Sequence, residues 1–368
     1  MKIICDRATL SEAVTGVSRA VAAKTSVPIL EGILIKAEGF QLTLTGYDLE
    51  LAIITSIEAN VLEAGDVVLS SKLLGDMLHR LSSDEVEIEV DGENNTTIKS
   101  GITEFNIIGL NPGDYPAIPN YEAERTFDIE PATLRYMIDT TIYAVSTDDR
   151  KPAQTGELFK IEPDKLTIIA LDGYRLAMLD TKIEATKDID VIIPQKTVSE
   201  ITKLLVNDDE IVHVAANRRF VVFATRTYTI MTRLIEGDFL DYNRVIPDGY
   251  KTRVVVNVRD FINSVERASL IITERLKNPL RIDFGEKVIV RCQTTLGKVV
   301  DEFEGEQLEG DSIEVGFNNR YMLDCLRNSG CEKVAFEIIS PLSPVKVFPV
   351  DEDKKFLFLI LPVRFKND

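Results

Sequence analysis

The chain opens with the apolar run Ile3-Ile4-Cys5, and apolar residues then fall at Leu10, Ala13, Val14, Val17 and Val21. This predicts a short strand followed by an amphipathic helix of 3.6-residue period. The same order returns at Phe127, Ile129, Leu134, Met137, Ile138 and Val145, where Pro131 suits a first helical turn. It returns once more at Val254, Val256, Phe261, Val265, Ala268 and Ile272, shifted by about three residues. Behind the first helix, PILEGILIKAEG, FQLTLTGYD and LELAIITSIEA carry β-branched and aromatic residues broken by Gly and Asp, a pattern of hairpins; LFKIEPDKLTIIALDGYRLAMLDTKI does the same behind the second. A second helix is predicted near 71–81, 195–205 and 318–328, and alternating strands such as EVEIEV, RRFVVFATRTYTIMTRLI and KKFLFLILPVRF close each unit. Each unit is therefore α+β, with two helices and several antiparallel strands.

The three units are in register. VVLSSKLLGDML from Val67 aligns with VIIPQKTVSEIT from Val191 and with VGFNNRYMLDCL from Val315, offsets of 124 and 248 residues. Lys72, Lys196 and Arg320 then coincide, as do Asp76, Glu200 and Asp324, and Gly113-Asp114-Tyr115 recurs as Gly237-Asp238-Phe239. A period of this size is a whole domain with its own core, unlike solenoid repeats that bury nothing alone. The expected domains are 1–124, 125–248 and 249–368.

Composition adds mainly exclusions. Of the 368 residues 45% are hydrophobic and 28% charged, which is ordinary for a globular chain. No apolar run approaches the roughly 18 residues that span a bilayer. Charged residues by position 7 leave no room for a signal peptide, so a cytoplasmic location without membrane association is expected. Cys5, Cys292, Cys325 and Cys331 lack metal-ligand spacing and read as reduced thiols, and with only His79 and His213 a zinc cluster is not expected. Neither a metal nor a cofactor is predicted. There is no GxxxxGK[ST] loop and no GxSxG elbow, and the acidic pairs Asp148-Asp149 and Asp208-Asp209 read as solvated loop charges. No catalytic residue is assigned; Asp172 reads as a buried or turn-capping residue. A calcium-dependent adhesion array would need closely spaced oxygen ligands, which are not seen.

The net charge of −18 argues against phosphate binding until it is partitioned. The stretches 7–24, 71–81, 131–145, 195–205, 259–272 and 318–328 hold twelve Lys or Arg against seven Asp or Glu. That is +5 on the predicted helices and −23 elsewhere. If the helices share a surface, an acidic protein presents a mildly basic face.

Together and in order, SVPILEGILI, LTGYDLEL, LNPGDYP, ALDGYRLAM, LIEGDFLDYNRVIP, VGFNNRYMLDCL and LILPVRF resemble the bacterial DNA polymerase III β subunit family, the processivity sliding clamps. The resemblance runs from Met1 to LPVRF. It implies a non-catalytic chain that pairs head to tail with a second copy into a ring of six domains. Paired helices would line the hole and encircle duplex DNA without regard to sequence, tethering the polymerase III catalytic subunit, the clamp loader and other clamp-binding proteins. Two-fold closure also satisfies the unmatched faces at the ends of a three-domain row, with edge strands as the natural joint.

On this resemblance the joint holds Phe105 and Ile107 on one side and Leu270 and Ile271 on the other. The DNA-facing candidates are Lys24 (in KTSVPIL), Arg80, Arg150, Lys151, Lys196, Lys203 and Arg320. A partner-peptide pocket is implied at Leu171, Gly173, Tyr174, Arg175 and Leu176, with Leu240, Arg244 and Val245. Leu342, Pro344, Leu359, Leu361, Pro362, Val363 and Arg364 complete it. Gln154, Leu240 and Tyr174 depart from common family choices, which leaves the peptide preference open.

Overall fold

The computed structural model describes residues 1–119, 125–205, 211–273, 278–351 and 354–365; Asp208 and Asp209 lie outside them. The first repeat runs β1 (Lys2–Asp6), α1 (Arg7–Ser18), β2 (Gly32–Glu38), β3 (Gln41–Tyr47), β4 (Leu51–Glu58), β5 (Asn60–Glu63), β6 (Gly65–Ser70), α2 (Ser71–Leu78), β7 (Glu85–Val90), β8 (Asn95–Ser100) and β9 (Thr103–Ile108). The second follows as β10 (Arg125–Ile129), α3 (Pro131–Thr141), β11 (Gly156–Glu162), β12 (Lys165–Leu171), β13 (Arg175–Lys182), β14 (Ile189–Pro194), α4 (Gln195–Leu204), β15 (Val212–Ala216), β16 (Phe220–Ala224) and β17 (Tyr228–Arg233). The third is β18 (Thr252–Asn257), α5 (Val258–Ser269), β19 (Leu280–Phe284), β20 (Lys287–Thr294), β21 (Gly297–Glu304), β22 (Glu306–Glu309), β23 (Ile313–Phe317), α6 (Asn319–Asn328), β24 (Lys333–Ile338), β25 (Val345–Pro349) and β26 (Leu357–Ile360).

Strand passes into helix with no loop between, because the residue at the corner is itself a cap. Asp6 accepts from the Thr9 amide at 2.7 Å, Asn257 from Asp260 at 3.1 Å and Asn318 from Arg320 at 2.9 Å, each filling one of the bare donors of a first turn. The first helices are shorter than the apolar period predicts. After Ser18 the amides of Ala20 and Val21 reach back only three residues, to Val17 and Ser18, and this tightened turn ends α1. Val145 likewise lies beyond α3, after a 3₁₀ turn over Ile142–Ala144, and Ile272 beyond α5. Arg19, Lys24 and Arg80 therefore sit past helix ends. Within the six helices themselves nine basic residues face seven acidic ones, so the predicted +5 falls to +2.

Compactness divides the chain differently from the repeat. One unit comprises Met1–Ala132 and Glu200–Leu234, the other Thr133–Ser199 and Ile235–Asp368. The first holds sheets β5-β1-β7-β8-β9 and β10-β15-β16-β17-β4-β3-β2-β6. The second holds β14-β11-β12-β13-β26-β25-β24-β18-β22 and β21-β20-β19-β23. The middle repeat is shared out because each half of it continues a neighbour's sheet: β17 pairs antiparallel with β4, and β13 with β26. Glycine permits the closest helix approach in the first unit, since a Cβ on Gly46 would lie 2.0 Å from the Val17 carbonyl oxygen. In the second unit Phe261, Phe284, Phe317 and Phe336 are fully buried and in edge or tilted ring contact, each contributing roughly 1.5–3 kcal/mol by leaving water.

One core position runs against the pattern. Glu157, in β11, is completely buried; it accepts a 2.8 Å hydrogen bond from the Thr141 hydroxyl, and its other oxygen has no partner among the described residues. Burial holds its carboxyl well above the usual range, so the folded chain keeps a proton that the unfolded chain releases. Stability from this group is full below the ordinary carboxylate range and is lost as pH rises, by at most about 1.4 kcal/mol per pH unit. Glu157→Gln should therefore raise the melting temperature near neutral pH and leave it little changed at pH 4. Denaturation scans from pH 4 to 8 check this, and an unchanged pH slope would sink it.

Candidate functional site

A cleft of about 400 Å³ opens on the second unit. Its floor is the end of the β12–β13 hairpin against β26, with Leu176 opposite Leu359 and Arg175 opposite Ile360. Leu171, Leu176 and Leu359 show the cleft one face and on the other join a buried cluster with Leu158, Ile169, Ile192 and Tyr242. The segment Leu240 to Pro247 forms one wall, and Ser343, Pro344 and Leu361 add to the lining. Apolar walls with two arginines, Arg175 and Arg244, suit a short extended peptide.

The hairpin end is held by its own acid. Asp172 caps the turn, accepting from the amides of Tyr174 at 2.8 Å and Arg175 at 3.0 Å, while Gly173 takes the left-handed φ of 89°. The Asp172 carboxylate also receives Arg175 Nε at 3.0 Å, and Asp324 on α6 receives the other end of the same guanidinium. Arg175 lies between the Tyr143 and Tyr321 rings, at 5.4 and 4.8 Å from their centroids. Such a desolvated, doubly paired arginine holds its orientation far better than an exposed one. Tyr174 stacks on Tyr321 at 5.9 Å, and its carbonyl accepts from Leu361, which ties the C-terminal segment to the hairpin. Burial drives the Tyr143 hydroxyl and the Cys325 thiol beside this cluster upward, so both stay neutral.

Family models of the DNA polymerase III beta subunit match this chain as N-terminal domain over residues 1–119, central domain over 128–241 and C-terminal domain over 243–364. The chain belongs to the DNA polymerase III beta subunit family. The "Beta sliding clamp" of Halalkalibacterium halodurans is 32% identical over 379 residues, covering 99% of this chain and all of that one. The DNA polymerase sliding clamp of Bacillus subtilis superposes with a TM-score of 0.95 at 30% identity over the whole of both chains. The beta subunit from Pseudomonas aeruginosa gives 0.93 at 26% identity, over 99% of this chain and all of that one. The chain is accordingly an α+β sliding clamp of three similar domains, a processivity subunit without catalytic activity of its own. Among the described residues no helix is long and apolar enough to cross a membrane.

Of the fifteen pocket residues expected from the resemblance, the structure gathers ten around the cleft: Leu171, Gly173, Arg175, Leu176, Leu240, Arg244, Val245, Pro344, Leu359 and Leu361. Tyr174 lies against Tyr321 instead, and Leu342 is exposed. Val363 and Arg364 face a separate, polar hollow with Arg281 and Arg291, and Pro362 falls between the two. Ile246, Pro247 and Ser343 line the cleft and were not anticipated. The first two simply continue NRVIP, whose apolar run was a usable signal. Tyr143, Tyr321 and Asp324 are brought to Arg175 by packing alone and carried no such signal. Gln154 lies outside the lining, its side-chain oxygen buried without a hydrogen-bond donor among the described residues.

The DNA-facing candidates are all exposed. In the first unit Lys24 occupies the loop after α1, Arg80 the turn after α2, and Lys203 pairs with Glu200 at 2.8 Å. In the second, Lys196 and Arg320 stand in the first turns of α4 and α6. Arg150 makes a double 2.8 Å contact with Asp148, whose carboxyl is thereby held down to about 2. Exposed pairs of this kind are weak and a phosphate could compete for the arginine. Lys151 comes to the rim of the cleft, its ammonium 4.0 Å from where a Cβ on Gly173 would be. Of the joint residues, Phe105 and Ile107 are half-buried on β9, an edge strand; Leu270 is 82% exposed at the end of α5, and Ile271 is half-buried.

Proposed function

We propose that two copies of this chain close head to tail into a ring around duplex DNA, and that the cleft on the second unit captures peptide segments of its partners. The partners are the polymerase III catalytic subunit, the clamp loader and other clamp-binding proteins, acting in the cytoplasm. The domains run 1–124, 125–248 and 249–368. The observation that carries the partner reading is the cleft itself, an apolar groove open to solvent whose rigid floor is braced by Arg175. Closure is supported by Phe105 and Ile107 on an open strand edge, and by Leu270 and Ile271 at the end of α5. Lys24, Arg80, Arg150, Lys151, Lys196, Lys203 and Arg320 touch phosphate weakly. With a net charge of −18 the chain gains little from nonspecific adhesion, and sliding needs only loose contacts.

A ring is held on DNA by topology rather than affinity. The protein, loaded on nicked circular DNA by its ATP-driven loader, should stay bound through a gel-filtration column and be released once a restriction enzyme linearises the circle. Equal retention on circular and linear DNA would overturn the ring.

A further inference from the structure

The polar hollow that Val363 and Arg364 face, about 710 Å³ in volume, is lined with charge of the sign opposite to that of the whole chain. Among the described residues Arg281, Arg291, Lys298 and Arg364 line it against one carboxylate, Glu314, in a protein of net charge −18.

Strand register places two of these cations side by side. On the outer face of the sheet β21-β20-β19-β23, one cross-strand row reads Val300, Arg291, Arg281, Gly316. The residues between them in sequence, Ile282, Val290 and Cys292, are buried on the other face. Like charges directly opposite on neighbouring antiparallel strands are destabilising, so Arg281 against Arg291 costs the fold something. Glu314 reaches Arg291 only at 3.4 Å, a loose pair. A carboxylate set between the two planar guanidiniums would relieve the repulsion and could be held by both.

The far end of the row carries the C-terminal segment. A Cβ on Gly316 would lie 2.3 Å from the Val363 carbonyl oxygen and 2.8 Å from the Phe365 ring, so only glycine lets the segment lie down here. The Val363 amide donates to the Gly316 carbonyl at 2.8 Å, and the Phe365 ring packs on the Arg281 guanidinium, 4.4 Å from its centroid. Two residues before Val363, Leu361 lines the partner cleft. Two residues of chain span at most about 7 Å, so cleft and hollow adjoin along one segment of backbone.

Building on the reading of the cleft as a partner-peptide site, we infer that the hollow extends it electrostatically and takes acidic side chains flanking the apolar anchor of a partner peptide. The lining favours a peptide over a nucleic acid, because Pro279, Val363 and Phe365 set apolar surface among the cations and the hollow adjoins an apolar cleft. Partner choice is then read in two parts, apolar anchors in the cleft and carboxylates at Arg281, Arg291, Lys298 and Arg364.

Fluorescence anisotropy with labelled clamp-binding peptides tests this. One set carries a run of Glu or of Gln directly before the apolar anchor residues, the other set directly after them. In one of the two sets the Glu peptide should bind about tenfold more tightly than its Gln counterpart at low salt, an advantage that fades as salt screens the pairs. R291Q/K298Q should abolish the advantage and leave the Gln peptide's affinity unchanged. K298Q alone, an exposed change on β21 that the fold tolerates, should reduce the advantage about threefold. Equal binding of Glu and Gln peptides in both sets overturns the inference and leaves the cleft standing, as does an advantage that survives intact in the variants. No binding by any of the peptides overturns the cleft reading as well. A single-stranded oligonucleotide that binds the protein but not R291Q/K298Q, with Glu and Gln peptides equal, assigns the hollow to nucleic acid and overturns the inference.

Discussion

Leu176→Ala is expected to weaken binding of a partner peptide by roughly 30- to 150-fold, because a central apolar anchor is worth about 2–3 kcal/mol in a well-packed site. Leu176 is only 2% exposed and sits in the strand that joins the cleft floor to the cluster below, so its truncation also costs the fold about 2–5 kcal/mol. Leu240→Ala separates the two effects. Leu240 is 46% exposed and lines the same cleft, so its loss should reduce peptide affinity by about tenfold, a typical interface truncation, with little change in melting temperature. Fluorescence anisotropy with a labelled clamp-binding peptide reads both variants, and sedimentation should find both still dimeric. Unchanged affinity in the two variants would remove the cleft as the partner site.

Phe105→Asp should convert the proposed dimer into single chains of 41.2 kDa at micromolar concentration. The substitution sets a carboxylate on the apolar side of the proposed joint, where an unpaired charge costs several kcal/mol, enough for more than a hundredfold loss in association. Phe105 is half-buried and lies on an edge strand, so the isolated chain should keep its fold. The cleft belongs wholly to the other unit, and peptide affinity should therefore be retained while retention on circular DNA disappears. A dimeric mass for Phe105→Asp by equilibrium sedimentation would exclude this strand from the joint.

Much of the fold was legible in the chain. Period and alternation placed two helices and the flanking strands in each repeat, since a helix or a strand that must bury one face records that face at fixed spacing. Helix ends were less legible: Val21, Val145 and Ile272 kept the apolar rhythm, yet the backbone had already tightened or turned, and a buried side chain in a turn looks the same as one in a helix. That error inflated the charge of the helices, because Arg19, Lys24 and Arg80 gather just where the helices stop. Asp172 was readable as a turn cap because its partners are two and three residues away.

Sequence alone determined the threefold unit, its α+β class and its family. These follow from local periodicity and from matches at a constant offset, and both are properties of order along a chain. Only the tertiary structure decided that the middle repeat is divided between two compact units, that Tyr143, Tyr321 and Asp324 brace Arg175, and which strand edges stay open. Those depend on which strand lies beside which, and contacts across some 150 residues, such as Arg175 with Asp324, leave no periodic trace.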